Sequence, residues 1–308
     1  MPKSPSRRDF LKTSMAAAGA AGLGAAGTRT LGAQASSAAA PAGAPARIKK
    51  GVLVDMLPKN LSYADRFKLA RDVGFEVLQV NTTPNQEEAE EIKRSADAAG
   101  IRIDSVMNMD HWKWPLSSGD PAVVEKSLEG MRTSLNNAKL WGAGYVLLVP
   151  AVVNPETSYR EAWNRSQVAI RKLLPLAEQL QVVIALEEVW NKFLLSPIEF
   201  AIYIDQYQSP WVKAWFDVGN VVFYGYPQDW IRTLGARIVD VHLKDFKRQE
   251  DCYHWVNLGE GDVDWAEVRK ALAEIGYSGA AITELEGGDQ AYLRDVSQRV
   301  DRLVLGKA

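Results

Sequence analysis

Cysteine is almost absent. Cys252 is the only one in 308 residues, so no internal disulfide can form, and it reads as a small residue in a loop. Histidine is scarce as well, with three in the chain, which excludes a cluster of several zinc ions held by many imidazoles. Basic residues show no excess: 36 Lys and Arg stand against 38 Asp and Glu, and no basic stripe is offered to nucleic acid. No Gly-rich phosphate cradle of the P-loop or dinucleotide type occurs. A convincing membrane-spanning run is also missing, because the stretch from Thr13 to Gly32 is mostly Ala and Gly and only weakly hydrophobic.

That weakly apolar stretch follows Ser6-Arg7-Arg8-Asp9-Phe10-Leu11-Lys12, and the pair reads as a twin-arginine export signal. Ala33-Gln34-Ala35 fits the small-x-small cleavage pattern. Residues 1–35 are therefore expected to be a signal peptide. Residues 36–47 are expected to be a Pro/Ala-rich flexible leader without the composition to bury a core. Cleavage removes Lys3, Arg7, Arg8, Lys12 and Arg29 against Asp9, so the mature chain keeps 31 basic and 37 acidic residues and a net charge of −6. Its expected place is the periplasm or the extracellular space, with the twin-arginine translocase as a partner during export. A substrate of that pathway is expected to cross already folded, so a metal could be loaded before export.

Residues 48–308 remain for one domain, and a hydrophobic fraction of 47% suffices for a substantial core. Short apolar runs alternate there with amphipathic stretches, the pattern of parallel strands joined by helices. Eight strands are expected, at Gly51–Val54, Val77–Val80, Ile103–Met107, Tyr145–Val149, Val182–Glu187, Val212–Asp217, Ile238–Leu243 and Ala280–Glu284. Helical periodicity follows at Tyr63–Val73, Gln86–Ala99, Ala122–Leu140, Tyr159–Leu180 and Tyr292–Leu305, among others. Glycines at Gly74, Gly100, Gly142 and Gly276 close helices before the next strand. Eight such units in this length predict a closed α/β barrel, the (β/α)8 TIM barrel, rather than an open sheet.

Reacting groups in such a barrel come from the C-terminal ends of strands. Four strand ends carry titratable side chains: Leu186-Glu187-Glu188, Phe216-Asp217-Val218-Gly219-Asn220, His242-Leu243-Lys244-Asp245 and Thr283-Glu284. Charges at the end of an apolar run are costly to bury unpaired, and a divalent ion among them reverses that cost. Three carboxylates and one imidazole suit a hard-to-borderline cation.

These segments, with Val189-Trp190-Asn191-Lys192-Phe193 after the first, stand in the order and at about the spacing of the metal set of a known family. From Lys50 to Leu305 the chain resembles the xylose isomerase-like TIM-barrel superfamily of sugar phosphate isomerases and epimerases. The resemblance implies that Glu187, Asp217, His242 and Glu284 hold one divalent ion. It also implies that Glu187 and Glu284 double as the acid/base pair on opposite sides of the substrate. Strand alternation lets only one of Glu187 and Glu188 face inward; the family's pattern of Glu followed by Val-Trp-Asn selects Glu187, with Glu188 as the alternative ligand. Mn²⁺ is the expected ion, with Co²⁺, Mg²⁺ or Zn²⁺ as substitutes. Barrels of this family are often dimers or tetramers, so a homo-oligomer is allowed.

Around that set, Lys244 falls two residues past His242, where its ammonium could meet a substrate hydroxyl or an enediolate oxygen, or simply pair with Asp245. Asn220 stands where some sugar epimerases of the family carry a substrate-contacting His, a departure that bears on substrate preference. His111 lies in a loop after the third strand, as a substrate contact or a surface histidine. His254, in the loop after the seventh strand, reads as merely polar. Trp112 and Trp190, with Trp114, Tyr224, Tyr226 and Trp255, fall at the expected barrel mouth, where flat rings suit the C–H face of a sugar. Asn191 is carried over with the Val-Trp-Asn pattern as a substrate-side residue.

The leading expectation is a metal-dependent isomerase or epimerase that abstracts a proton next to a carbonyl of a small-molecule carbohydrate. Export argues for a non-phosphorylated sugar, since phosphosugars are scarce outside the cytoplasm. A lyase or dehydratase eliminating a group from a keto-glycoside or keto-inositol needs the same first step. A non-catalytic sugar-binding protein is a further alternative. A DNA-repair endonuclease of the superfamily is disfavoured by the three histidines and the acidic surface.

Overall fold

A computed structural model describes residues 47–108, 110–249 and 252–307. The expected signal peptide, residues 1–35, and all of the expected leader except Arg47 lie outside the described residues. Eight parallel strands close into a barrel: β1 (Lys49–Leu53), β2 (Val77–Asn81), β3 (Arg102–Met107), β4 (Tyr145–Leu148), β5 (Val183–Glu187), β6 (Val212–Asp217), β7 (Ile238–Leu243) and β10 (Ala280–Thr283). Neighbours in the ring follow chain order, and β10 closes it between β7 and β1. The barrel expected from the alternation is thus the barrel observed.

Nine helices among the described residues make the connections: α1 (Tyr63–Asp72), α2 (Gln86–Ala99), α3 (Pro121–Trp141), α4 (Tyr159–Arg171), α5 (Leu174–Leu180), α6 (Pro197–Asp205), α7 (Pro227–Leu234), α8 (Trp265–Glu274) and α9 (Gln290–Leu303). Their starts are written locally. Ser158 accepts from the Glu161 N–H while Glu161 reaches back to Ser158, a reciprocal cap that opens α4. At the other end of α2, Gly100 takes φ 65° and closes the helix in the left-handed conformation, where a Cβ would be strained.

Two expectations are corrected. The single helix expected over Tyr159–Leu180 is two, α4 and α5. Pro175 is the reason: inside a continuous helix it would offer no N–H and would press on the carbonyl four residues earlier, whereas in the first turn of α5 both costs vanish. The long loop expected after β7 contains an antiparallel hairpin, β8 (Asp245–Gln249) with β9 (Cys252–Val256). Cys252 therefore opens a strand, and His254 sits opposite Lys247 within the ladder.

Alternation divides each barrel strand between two cores. One face packs under the helices, with Phe67, Ile92, Leu135, Phe200 and Val296 among the fully covered side chains. The other face fills the barrel: Leu53, Val77, Leu147, Ala185, Trp215, Ala280 and Ile282 form a separate apolar cluster. Glu187 stands two residues after Ala185, and Asp217 two after Trp215, so the same alternation carries both carboxylates to the inner face.

The segment after the hairpin hangs on Asp245, which is fully buried. Its carboxylate accepts from the N–H groups of Phe246 at 2.9 Å and Gly259 at 2.8 Å, and from Trp265 Nε1 at 2.9 Å. Asp245 is thus spent on the loop, so it is not the partner of Lys244. Asp245→Ala strips these donors of a charged acceptor and should cost on the order of 3 kcal/mol in urea unfolding. A loss below about 1 kcal/mol would show that the loop is held by something else.

Candidate functional site

The register of the barrel decides which strand tips meet. Asp217 is level with His242, and His242 with Ile282, which places Glu284 one inward-facing step above. The Glu284 N–H still donates to Leu243 O at 3.2 Å, extending the β10 ladder past its last strand residue. Each of Glu187, Asp217, His242 and Glu284 then offers one ligand atom, and these atoms lie within 4.8 Å of one another. His242 Nδ1 is 2.9 Å from Glu187 Oε1 and 2.7 Å from Glu284 Oε2, with Asp217 Oδ2 at 3.9 Å. Asp217 and His242 are sealed, while the Glu284 side chain is 25% exposed and marks the open side.

Backbone donors aim these groups. The Gly219 and Asn220 N–H groups both bond Asp217 Oδ1, at 2.8 and 2.9 Å, which turns Oδ2 toward the cluster. The Asp217 N–H in turn donates to Glu188 Oε1 at 3.1 Å. Glu188 therefore lies behind Asp217 and outside the group that could share an ion, whereas Glu187 lies within it. Gly219 is needed for close approach: a Cβ there would stand 2.6 Å from Lys244 Cβ.

Lys244 crosses the open side, its Nζ 3.0 Å from Asp217 Oδ2 and 2.9 Å from Glu284 Oε2. Burial opposes charge on this ammonium, but Asp217, Glu284 and Glu187 outweigh it and hold it above the usual lysine range. The same contest operates at His242, where burial is overcome by Glu284 and Glu187 and the ring is pushed up to about 10. Burial and the nearby charge of Glu284 raise Glu187, against the pull of His242. Glu284 goes the other way, held far below the carboxylate range by His242 and Lys244 despite its burial. Glu188 is raised well above that range by burial and by the charges of Glu187 and Asp217.

Three carboxylates against one ammonium and one imidazolium leave the cluster short of positive charge. The buried Asp217 Oδ2 and Glu284 Oε2 have only Lys244 and His242 as partners, two cations shared among three carboxylates. Carboxylate oxygens and a ring nitrogen converging on one centre are the donors a divalent ion takes. The residues present fit such an ion.

The other sequence candidates separate into two groups. His111 is 4% exposed rather than on the surface, and burial drives it down to about 4 although Glu284 is near enough to raise it. Trp190 and Trp255 stack at 5.1 Å beside Phe246 and Phe223, and the Trp190 Nε1–H is tied to Asn220 O at 2.9 Å. Trp112 and Tyr226 are largely exposed. Asn191 and Asn220 are instead turned into the protein: their amides donate to Ala151 O at 2.5 Å and Glu188 O at 3.0 Å. A cavity of about 450 Å³ opens beside Lys244 and Glu284, walled by Trp255, Asn257, Glu286 and Tyr292. Sequence reasoning missed Gln79, whose Oε1 is 2.8 Å from His242 Nε2. Its signal was a polar amide between Leu78 and Val80, in the middle of an apolar run.

The two buried histidines should titrate in opposite senses in metal-free protein. At pH 7.5 His242 is expected as an imidazolium and His111 as a neutral ring in an NMR titration. Because His242 rises above its ordinary 6.5 on folding, its contribution to stability is complete below about 6.5 and is lost as the pH climbs through about 10. A His242 midpoint near 6.5 would contradict the electrostatic account.

Comparison with known proteins agrees with this architecture. Residues 4–24 match the twin-arginine translocation pathway signal sequence, so the chain carries an export signal. Among the described residues no helix is long and apolar enough to cross a membrane. The L-ribulose-5-phosphate 3-epimerase of Escherichia coli is 26% identical over 251 residues, covering 78% of this chain and 87% of that one. A D-psicose 3-epimerase from Clostridium cellulolyticum, solved with D-tagatose, superposes with a TM-score of 0.71 at 19% identity, covering 85% of this chain and 100% of the other. The 3-keto-D-glucoside 4-epimerase of E. coli gives 0.69 at 16% identity, covering 81% and 97%. Residues 67–301 match the family model described as xylose isomerase-like TIM barrel, and with the closed eight-stranded ring around its acidic cluster, the chain belongs to that family.

Proposed function

We propose that the protein is an exported sugar epimerase or isomerase that moves a proton at a carbon next to a carbonyl, with one divalent ion, Mn²⁺ in the first instance, held by Glu187, Asp217, His242 and Glu284. The observation that carries this reading is the convergence of Glu187 and Glu284 on one centre: both lie within 3 Å of the same His242 nitrogen, the first from the end of β5 and the second from just past β10. The named relatives, all sugar epimerases, support the same class. A bound cation supplies electrostatic stabilisation of the negative charge that develops on the substrate oxygens.

The chain's own groups supply the rest. One glutamate takes the proton as the C–H bond breaks and its electron pair moves into the enediolate. The other returns a proton to the opposite face, and a new C–H bond inverts the centre; delivery to the neighbouring carbon gives isomerisation instead. No electrons are gained or lost overall. Lys244, held at the open edge by Asp217 and Glu284, is placed to meet the developing oxyanion. Asp217 and His242 serve as ligands only.

The mouth supports an unphosphorylated substrate. Of the charged side chains lining the cavity, Lys244 is already paired with two carboxylates, and Glu284 and Glu286 are anionic. A phosphate group would meet net negative charge there and, among the described residues lining the cavity, no free cation. The aromatic wall formed by Trp190 and Trp255 suits the apolar face of a sugar ring. The twin-arginine signal supports a periplasmic or extracellular site for this chemistry.

Mn²⁺-loaded protein incubated with free ketoses and 3-keto-glycosides in heavy water should yield an epimer or isomer carrying solvent deuterium at the reacting carbon. Glu187→Gln and Glu284→Gln should each lower kcat by about 10²–10⁴-fold. Release of an aglycone in place of an epimer would make the enzyme a lyase. Metal-loaded, folded protein that exchanges no proton with any of these sugars would end the proposal.

A further inference from the structure

Gln79 is fully buried inside the barrel, and its placement is unusual for an amide. It belongs to β2, which pairs with β1 and β3, whereas His242 belongs to β7. Two strands, β1 and β10, stand between them around the ring. The 2.8 Å contact from Gln79 Oε1 to His242 Nε2 therefore runs through the barrel interior rather than along the sheet. Gln79 Nε2 is buried without a hydrogen-bond partner. A core that leaves an amide donor unsatisfied loses stability, so the acceptor end carries the use of this residue.

That use follows from imidazole chemistry. A neutral ring has one N–H, and its two nitrogens compete for the proton. On the Nδ1 side stand Glu187 and Glu284, both carboxylate acceptors that favour the proton there. Left to them, the neutral ring would keep Nδ1–H and have no lone pair to give a cation in the cluster. Gln79 Oε1 can only accept, so it holds a proton on Nε2 and leaves Nδ1 as the ligand atom. The edge of Trp215, with ring centroids 4.7 Å apart, keeps the imidazole from turning away.

We infer that Gln79 is the positioning residue that makes His242 Nδ1 a metal ligand, by accepting the Nε2–H across the barrel. The inference rests on the reading that the cluster binds a divalent ion. It adds an acceptor from the first half of the barrel to a site whose four expected ligands all come from the second half.

The test uses the full exported protein and three forms: wild type, Gln79→Met, which keeps similar volume without a good acceptor, and Gln79→Glu, which can only accept. Mn²⁺ affinity by calorimetry should fall about 10–100-fold in the Met variant and return to within about threefold of wild type in the Glu variant. The His242 Nε2–H resonance, followed by NMR with Zn²⁺ and without metal, should be slow to exchange in wild type and the Glu variant and fast or absent in the Met variant. Unfolding curves establish that each variant is folded. If the Met variant binds Mn²⁺ as wild type does, or the Glu variant is as defective as the Met variant, the inference is overturned. Should wild type bind no divalent ion, the metal reading fails and takes the ligand role with it, while the exchange rate of the Nε2–H in metal-free wild type against the Met variant still decides whether Gln79 accepts that proton.

Discussion

Repulsion among three carboxylates is the constraint around which this molecule is organised. Glu187, Asp217 and Glu284 present oxygens within 4.8 Å of one another, in an interior where water cannot screen them. Such an arrangement persists only if positive charge is delivered to it. The chain delivers two cations of its own, Lys244 at the open edge and His242 beneath. Both are driven toward the charged state by the carboxylates that surround them. A divalent ion held by these residues would draw on the same oxygens, so Lys244 and His242 would share the carboxylates with it.

The supporting layer explains how the acids are held apart from collapse. Backbone N–H groups from the turn after β6 fix one oxygen of Asp217, and Glu188 holds the Asp217 backbone from behind. Asn220 ties that turn to Glu188 through its amide, and Trp190 ties it to the aromatic wall. Asn220, expected from the sequence to bear on substrate preference, is here part of the scaffold.

Barrel closure gives the site a further property. β10 carries Thr283 into the ladder and presents Glu284, and it pairs with β1, the first strand of the described chain. Glu284 therefore joins the cluster only when this last strand has docked on β7.

Much of this was legible before any coordinates. Strand alternation with helices is a local pattern, because burial on both sheet faces makes each strand a short apolar run. The charged residues that interrupt those runs at their ends, Glu187, Asp217, His242 and Glu284, were visible for the same reason: charge is costly there without a purpose. Local chemistry also set the helix stops at Gly100 and Gly142. What the sequence could not show were relations between strands. That Lys244 serves Asp217 and Glu284 while Asp245 holds a distant loop, that Asn191 and Asn220 are turned into the protein, and that Gln79 reaches His242 across the barrel all depend on register and closure. Sequence determined which groups stood on which face of each strand, because alternation is a property of a single strand; only the tertiary structure decided which of them met, because distance through a barrel interior is a property of the whole ring.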